Sequence, residues 1–362
     1  MEEKQNNVIL QFSWKKLAVL LVITLALYLA ATKMIGLKDS IMLLKGISRR
    51  WILAALIFEF GSYLGGSLML KFVLNRLYYK IRFRDLFRIA TIGNFAIHFF
   101  PIAGAGEMAL LLYLFKEKGL TAGDTLFMFM IRSIFMYTAL IILFVISLFF
   151  IQSLPHISPI IRILLIVVIL LILYVVYFAI NRIRHKKRFY KSGRNFFRFI
   201  NFFGRLFTKK SFVKHLAVES LVTEIYLGFQ MFRKDPKSAW KVIGGGLIYW
   251  IGDMLCLFFI LKGFGYQIHI APLVFTYTAT TFASIISFIP GGLGVNESVS
   301  SLLLISFGAP ASVAVFSVLV YRLISFWLIM PIGFLSFIGL RSARQHIKKS
   351  KNTEERNRLL DK

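Results

Sequence analysis

Apolar and polar positions in this chain alternate on a coarse scale. Long apolar blocks are separated by polar, largely basic ones, without the short period of a half-buried strand. Apolar segments fall at about 17–35, 51–74, 124–150, 158–180, 240–262 and 310–340. Most approach or exceed the roughly 20 residues that an α-helix needs to cross the hydrocarbon core. The run from Ile163 to Ile180 is continuously apolar, which argues against a barrel. Only helices and closed barrels satisfy their own backbone polar groups in lipid, so the pattern predicts an all-α, polytopic membrane protein.

Two further apolar regions, 86–115 and 272–308, are broken. The first carries Phe100-Pro101-Ile102-Ala103-Gly104-Ala105-Gly106-Glu107, the second Ile289-Pro290-Gly291-Gly292-Leu293-Gly294-Val295-Asn296-Glu297. Proline and glycine together stop a helix. Non-helical backbone at membrane depth is tolerated only inside protein or beside water. Each region is therefore expected to be a re-entrant hairpin or two short spans.

Composition agrees: 58% of the 362 residues are hydrophobic and the mean hydropathy is +0.73. The formal net charge of +28 would suggest nucleic acid in a soluble domain, but most of it lies between apolar runs. The positive-inside rule explains it without nucleic acid. The 75–88 segment holds Arg76, Lys80, Arg82, Arg84 and Arg88, the 181–241 segment holds sixteen Lys and Arg, and the tail after Leu340 holds eight. These are expected in the cytoplasm, against anionic lipid headgroups. The connections 151–157 and 263–272 have neither Lys nor Arg and are expected outside. One loop, 35–50, carries Lys38, Lys45, Arg49 and Arg50 and falls outside against the rule. The first apolar run, from Leu17 to Ala30, has no evident cleavage site after it and is read as a retained helix rather than a signal peptide.

This threading gives a cytoplasmic N-terminus at 1–16, a first membrane unit at 17–150, a second at 158–340 with a basic interfacial insertion at 181–240, and a cytoplasmic tail at 341–362. Both termini are then cytoplasmic, in the cell membrane. The aromatic and basic residues of 188–199 predict a helix lying on the lipid surface; residues 211–232 predict another amphipathic helix.

The two units match each other. Trp51 precedes Pro101 by 50 residues, as Trp240 precedes Pro290. Glu107 precedes Arg132 by 25, as Glu297 precedes Arg322. Ala90, Thr91 and Phe99 match Ala279, Thr280 and Phe288; Gly104, Leu112, Leu114 and Ile134 match Gly294, Leu302, Leu304 and Ile324 after one inserted residue. Each unit has three spans and one broken hairpin, so the threading makes the repeat inverted, an arrangement found in carriers. Duplication without transport is the plainer alternative.

Ionisable residues inside spans cost roughly 2.5–3.5 kcal/mol each on insertion scales. Glu107 with Arg132 and Glu297 with Arg322 stand out, each glutamate beginning the helix that leaves a glycine break. Free N–H groups at such a helix start, with an arginine fork beside them, suit a phosphate. The candidate substrate-binding residues are therefore Pro290, Gly291, Gly292, Gly294, Asn296, Glu297 and Arg322, with Pro101, Gly104, Gly106, Glu107 and Arg132 in the first unit. A buried ion pair that simply holds hairpin to helix explains the same residues. Asn296 is expected to cap its helix. Glu59, His98 and Asp253 are candidates for a proton path, or for ordinary buried hydrogen bonding. No catalytic residues, metal site or cofactor are expected: metallopeptidase, nucleophile-elbow and phosphate-loop motifs are absent, and the single cysteine, Cys256, allows neither an internal disulfide nor a thiolate zinc site.

The stretch Phe288-Ile289-Pro290-Gly291-Gly292-Leu293-Gly294-Val295-Asn296-Glu297 resembles the flippase-like transmembrane region of the lysylphosphatidylglycerol synthase family. The resemblance runs from about 10 to 340, and Arg322 sits where that family's downstream arginine is expected. The first unit departs from it at Ala103 and Ala105. Full-length members of the family add a cytoplasmic aminoacyl-transferase domain, which this chain is expected to lack. The resemblance implies lipid translocation, with aminoacylated phosphatidylglycerol or another lipid-linked headgroup as substrate. The alternatives are a membrane enzyme or transferase subunit acting on lipid headgroups, and a non-catalytic partner of a separate lipid synthase; self-association is a further partner option.

Overall fold

The computed structural model describes residues 46–99, 105–152, 185–195, 215–287 and 289–339, with isolated positions between 163 and 181. The expected span at 17–35, most of 158–180, the candidates Pro101 and Gly104, and the tail at 341–362 lie outside the described residues.

All regular structure among the described residues is helical. The helices are α1 (Arg49–Arg76), α2 (Phe83–Phe99), α3 (Ala105–Lys116), α4 (Ala122–Gln152), α5 (His215–Lys234), α6 (Pro236–Gly263), α7 (Ile270–Ile286), α8 (Val295–Ser306) and α9 (Ala311–Gly339). Four of them, α1, α4, α6 and α9, are long and apolar enough to cross a membrane. The described positions between 163 and 178 are helical and exposed.

The four long helices start and stop on local signals. Asp235 opens α6: its carboxylate accepts from the Ser238 N–H at 3.2 Å and from the Ser238 hydroxyl at 2.6 Å, with Pro236 in the first helical turn. Those two bonds hold the Asp235 carboxyl below the usual carboxylate range. The chain turns after α1 at Tyr78, whose φ is 63°. Next to it, the Tyr79 hydroxyl donates to Asp124 Oδ2 at 2.6 Å, which pushes the phenol upward and ties the turn to the start of α4.

Helices of matching length recur in the same order along the chain. Helices α1 and α6 have 28 residues each, α2 and α7 have 17, α3 and α8 have 12, and α4 and α9 have 31 and 29. Arms of 17 and 12 residues are about 25 and 18 Å long, shorter than the roughly 30 Å hydrocarbon core. Each broken region is thus a helical hairpin whose arms pack on each other. Thr280 and Ser300 join their hydroxyls at 3.1 Å in the second, and Gly93 lies against the Glu107 carboxylate in the first.

Helices α1 and α6 are packed antiparallel at backbone distance. A Cβ on Gly65 would stand 2.4 Å from the Tyr249 nitrogen, and one on Gly252 would stand 2.8 Å from the Ser62 nitrogen. At one end Lys262 lies over the Trp51 ring at 5.1 Å, and the Ser48 N–H donates to the Gly263 carbonyl at 3.1 Å. At the other, Arg76 approaches Asp235 at 4.0 Å. Without a hydrophobic drive between helices in lipid, close packing of small residues is what holds such a crossing. Gly65 on α1 and Gly245 and Gly252 on α6 are the small residues at that contact. The main core lies around α6, with Trp250, Leu257, Tyr277, Leu304, Val318 and Tyr321; a second gathers α2, α3 and α4 against α1, around Leu70, Ile92, Leu111 and Met128.

Helix α9 is not uniform. Residues Leu323–Leu328 form a π-helical segment directly after Arg322. The matching stretch of α4, 133–138, is ordinary α-helix. Inserted π turns are rare and concentrate at functional sites.

Candidate functional site

The second break is a tight cage. Gly291, Gly292 and Gly294 have φ of 60°, 61° and 83°, a region that L side chains enter only with strain. The turn brings the Gly291 carbonyl oxygen to Arg322 Nη2, 2.6 Å away. Arg322 Nε donates to Glu297 Oε1 at 2.8 Å, and Glu297 Oε2 accepts from the Gly294 N–H at 2.7 Å. The arginine is 5% exposed and stacks over the Phe326 ring at 4.5 Å. Leu293, Phe326 and Met330 pack with Phe95 from the first hairpin, so the second break rests on α2.

The expected cap is corrected by this geometry. Asn296 does not cap α8. Gly294 is the N-cap, and Glu297, three residues on, reaches back to its N–H. The glycine can take the turn that an asparagine at 296 would follow too late, and the glutamate fills the helix start. Asn296 lies in the first turn with a buried Oδ1 that has no hydrogen-bond partner among the described residues. Ser284, Ser325 and Trp327, on the elements that flank the break, also carry buried unpartnered polar atoms.

The first unit repeats the pair. Arg132 Nη1 donates to Glu107 Oε1, with the two residues 8% and 3% exposed. Glu107 and Gly106 lie in the first turn of α3. Arg132 Nε has no partner among the described residues, whereas both the Nε and Nη2 groups of Arg322 are used. The spacing of 25 residues in the sequence therefore marks two real ion pairs. Each is buried, and removing one partner strands the other charge.

Of the three proton-path candidates, Glu59 and Asp253 meet and His98 does not join them. His98 Nδ1 lies 2.7 Å from the Asn94 carbonyl oxygen, and its ring meets Phe326 edge-on at 5.0 Å, on the Arg322 side of the structure. Asp253 accepts from Tyr277 at 2.6 Å and from Tyr321 at 2.8 Å. Neither tyrosine stood out in the sequence: a tyrosine in an apolar run reads as an aromatic facing lipid, and only the tertiary contact gives it a role. Among the described residues no group of His, Cys, Asp and Glu could hold a metal ion.

The basic insertion contains a helical stretch at 186–195 and α5. Tyr190 donates to Thr223 at 2.8 Å, Arg194 pairs with Glu219 at 3.0 Å, and Phe189 packs on Tyr226 and Phe229. Lys186, Lys187, Lys191 and Arg194 line an open pocket with Tyr190 and Asn195.

The chain is similar to known membrane proteins over most of its length. An UPF0104 membrane protein of Methanocaldococcus jannaschii is 23% identical over 343 residues, 93% of this chain and 97% of the relative. An UPF0104 membrane protein of Pyrococcus horikoshii is 35% identical over 86 residues, 24% of this chain and 26% of the relative. Residues 16–333 match the family described as "Lysylphosphatidylglycerol synthase TM region". That match takes in both hairpins, both Glu–Arg pairs and the helices that carry them, and the chain belongs to this family of membrane proteins.

Proposed function

We infer that the chain is a lipid translocase, a carrier that moves a phospholipid or another lipid-linked headgroup across the cytoplasmic membrane. The observation that carries this reading is the doubled unit: two helical hairpins, each too short to cross the bilayer, each holding a buried Glu–Arg pair at the helix start after its break. The antiparallel crossing of α1 and α6 supports an inverted relation between the halves. Equivalent helices that cross antiparallel near their midpoints are related by an axis perpendicular to both, which for spanning helices lies in the membrane plane.

In this reading Glu297, Arg322 and the 290–294 loop form one half of the substrate site, and Glu107, Arg132 and the 101–106 loop the other. The headgroup phosphate takes the arginine in exchange for the glutamate, and the freed glutamate meets a cationic group such as an aminoacyl amine. In the cage described above the helix start is filled by the protein's own carboxylate, which a headgroup would have to displace. The approach of Arg76 to Asp235 supports a common, cytoplasmic side for the 75–88 and 181–241 segments. The pocket around Lys186 to Arg194 suits anionic headgroups on that face.

The test is lipid flipping by the pure chain in proteoliposomes carrying headgroup-labelled phosphatidylglycerol or its lysyl derivative, read by quenching from outside. Flipping above empty liposomes supports the reading. No movement with either lipid, or with a lipid-linked sugar, would leave a partner of a separate synthase as the better account.

A further inference from the structure

Glu59 on α1 and Asp253 on α6 face each other where the two helices cross. Glu59 sits ten residues from the start of α1 and Asp253 ten from the end of α6, about 15 Å from that end of each helix and so deep in the span. Their hydrogen bonding is lopsided. Both oxygens of Asp253 are taken by phenols, Oδ2 by Tyr277 and Oδ1 by Tyr321. Glu59 is 5% exposed, and its Oε2 has no hydrogen-bond partner among the described residues. The groups that face the pair are Tyr63 from α1, Tyr249 and Cys256 from α6, Tyr277 from α7, and Tyr321 and Arg322 from α9. The one cation among them, Arg322, already spends Nε and Nη2 on Glu297 and Gly291.

Two carboxylates side by side in a dry interior cannot both stay ionised. Tyr63 and Cys256 reach Glu59, but its Oε2 stays unbonded among the described residues, whereas phenols at 2.6 and 2.8 Å hold both oxygens of Asp253, so Asp253 is the better equipped to be the anion. A protonated Glu59 supplies what the arrangement lacks, an O–H directed at its neighbour. A metal cation fits worse, since it needs several free oxygens and Asp253 offers none that is uncommitted.

We propose that Glu59 and Asp253 form a proton-binding carboxyl pair, with Glu59 as the group that loads and releases the proton, and that Tyr321 reports its state to the Arg322 cage. The wiring is short. Tyr321 holds Asp253 and the next residue, Arg322, holds Glu297 and the Gly291 carbonyl, and the π-helical segment begins immediately after. When the Glu59 O–H gives its proton to water, two negative charges oppose each other across the glycine-tight crossing of α1 and α6. Asp253 then pulls away from Glu59 and on Tyr321, and α9 has a pliable turn there to yield. The proton is the only species that enters or leaves. The coupling half of this inference rests on the translocase reading; the proton site does not.

Two measurements on the full chain separate them. Infrared difference spectra of the protein in lipid nanodiscs, taken between acid and alkaline pH, are expected to contain a protonated-carboxyl band that Glu59→Gln removes. Tyr321→Phe, which deletes one hydroxyl and keeps the ring, is expected to shift the band without removing it. A band indifferent to both variants overturns the proton site. In proteoliposomes, a gradient of one pH unit coupled to one proton per lipid shifts the steady-state lipid distribution roughly tenfold. Glu59→Gln is expected to lose that bias while still exchanging lipid. Lipid movement that ignores the pH gradient, or follows a sodium gradient instead, overturns the coupling and leaves the translocase reading standing. Absence of lipid movement under every gradient overturns the translocase reading and the coupling together, and the infrared band still decides the proton site.

Discussion

Gly65 and Gly245 press α1 and α6 together: a Cβ on Gly65 would lie 2.7 Å from the Gly245 carbonyl oxygen, and one on Gly245 would lie 3.1 Å from the Gly65 carbonyl oxygen. The contact is reciprocal because the two antiparallel backbones meet at these two glycines. Valine at either position forces the backbones apart, and overpacking of this kind costs about 1–3 kcal/mol or more. Gly61→Ala and Gly244→Ala, where nothing stands within 4 Å of the new Cβ, are expected to gain about 0.5–1 kcal/mol from helix propensity instead. Thermal unfolding in detergent checks both. A Gly65→Val protein as stable as the parent would show that the crossing is not what holds the halves.

The Arg322–Glu297 pair tells substrate handling from plain structure. Replacing one partner, as in Glu297→Gln or Arg322→Met, leaves a buried charge alone and is expected to cost roughly 3–5 kcal/mol. The double variant Glu297→Gln with Arg322→Met removes both charges and is expected to recover most of that stability. If the pair handles the headgroup, the double variant folds and flips no lipid. Parental flipping per milligram by the folded double variant would leave only the structural role.

Gly291 is constrained twice. Its φ is 60°, and a Cβ there would lie 2.2 Å from Phe326 Cε2. Gly291→Ala is expected to displace Phe326, disturb the stacking on Arg322 and abolish lipid movement. Adding Phe326→Leu opens the space but leaves the backbone cost of about 1–2 kcal/mol. The pair of changes should therefore recover stability in part, as read by thermal midpoint. No recovery in the double variant would place the defect in the backbone alone.

Cysteine labelling from outside intact cells examines the side assignment. A cysteine at Gln267 is expected to react with an impermeant maleimide and one at Asn195 is not. Cys256 is buried and serves as the silent background. Reaction at 195 would reverse the orientation.

The long helices were legible because their apolar runs carry only isolated charges: 51–74, 124–150 and 240–262 were expected and Arg49–Arg76, Ala122–Gln152 and Pro236–Gly263 formed. The hairpins were legible from proline and glycine, and both ion pairs from a spacing repeated in two places. The cap of α8 was misread although its signal was present, since Gly294 and Glu297 stand at N-cap and third helical position. The hydroxyls on Asp253 were hidden because they come from α7 and α9, 24 and 68 residues away. The π-helical segment left no trace, because Leu323-Ile324-Ser325-Phe326-Trp327-Leu328 is as apolar as the ordinary helix around it. Periodicity reports which face is buried, not whether a turn holds an extra residue.

That extra residue makes the two halves unequal. A machine assembled from two interchangeable halves has no preferred posture: facing one compartment and facing the other are the same state relabelled. Among the described residues only the second half carries the widened turn, next to an arginine bonded through Nε and Nη2, while the matching stretch of the first half is regular helix beside an arginine whose Nε has no partner there. The degeneracy is broken at the level of the backbone. On the carrier reading, the molecule at rest has a default direction in which it waits, set by six residues of one helix rather than by any difference between the two membrane faces.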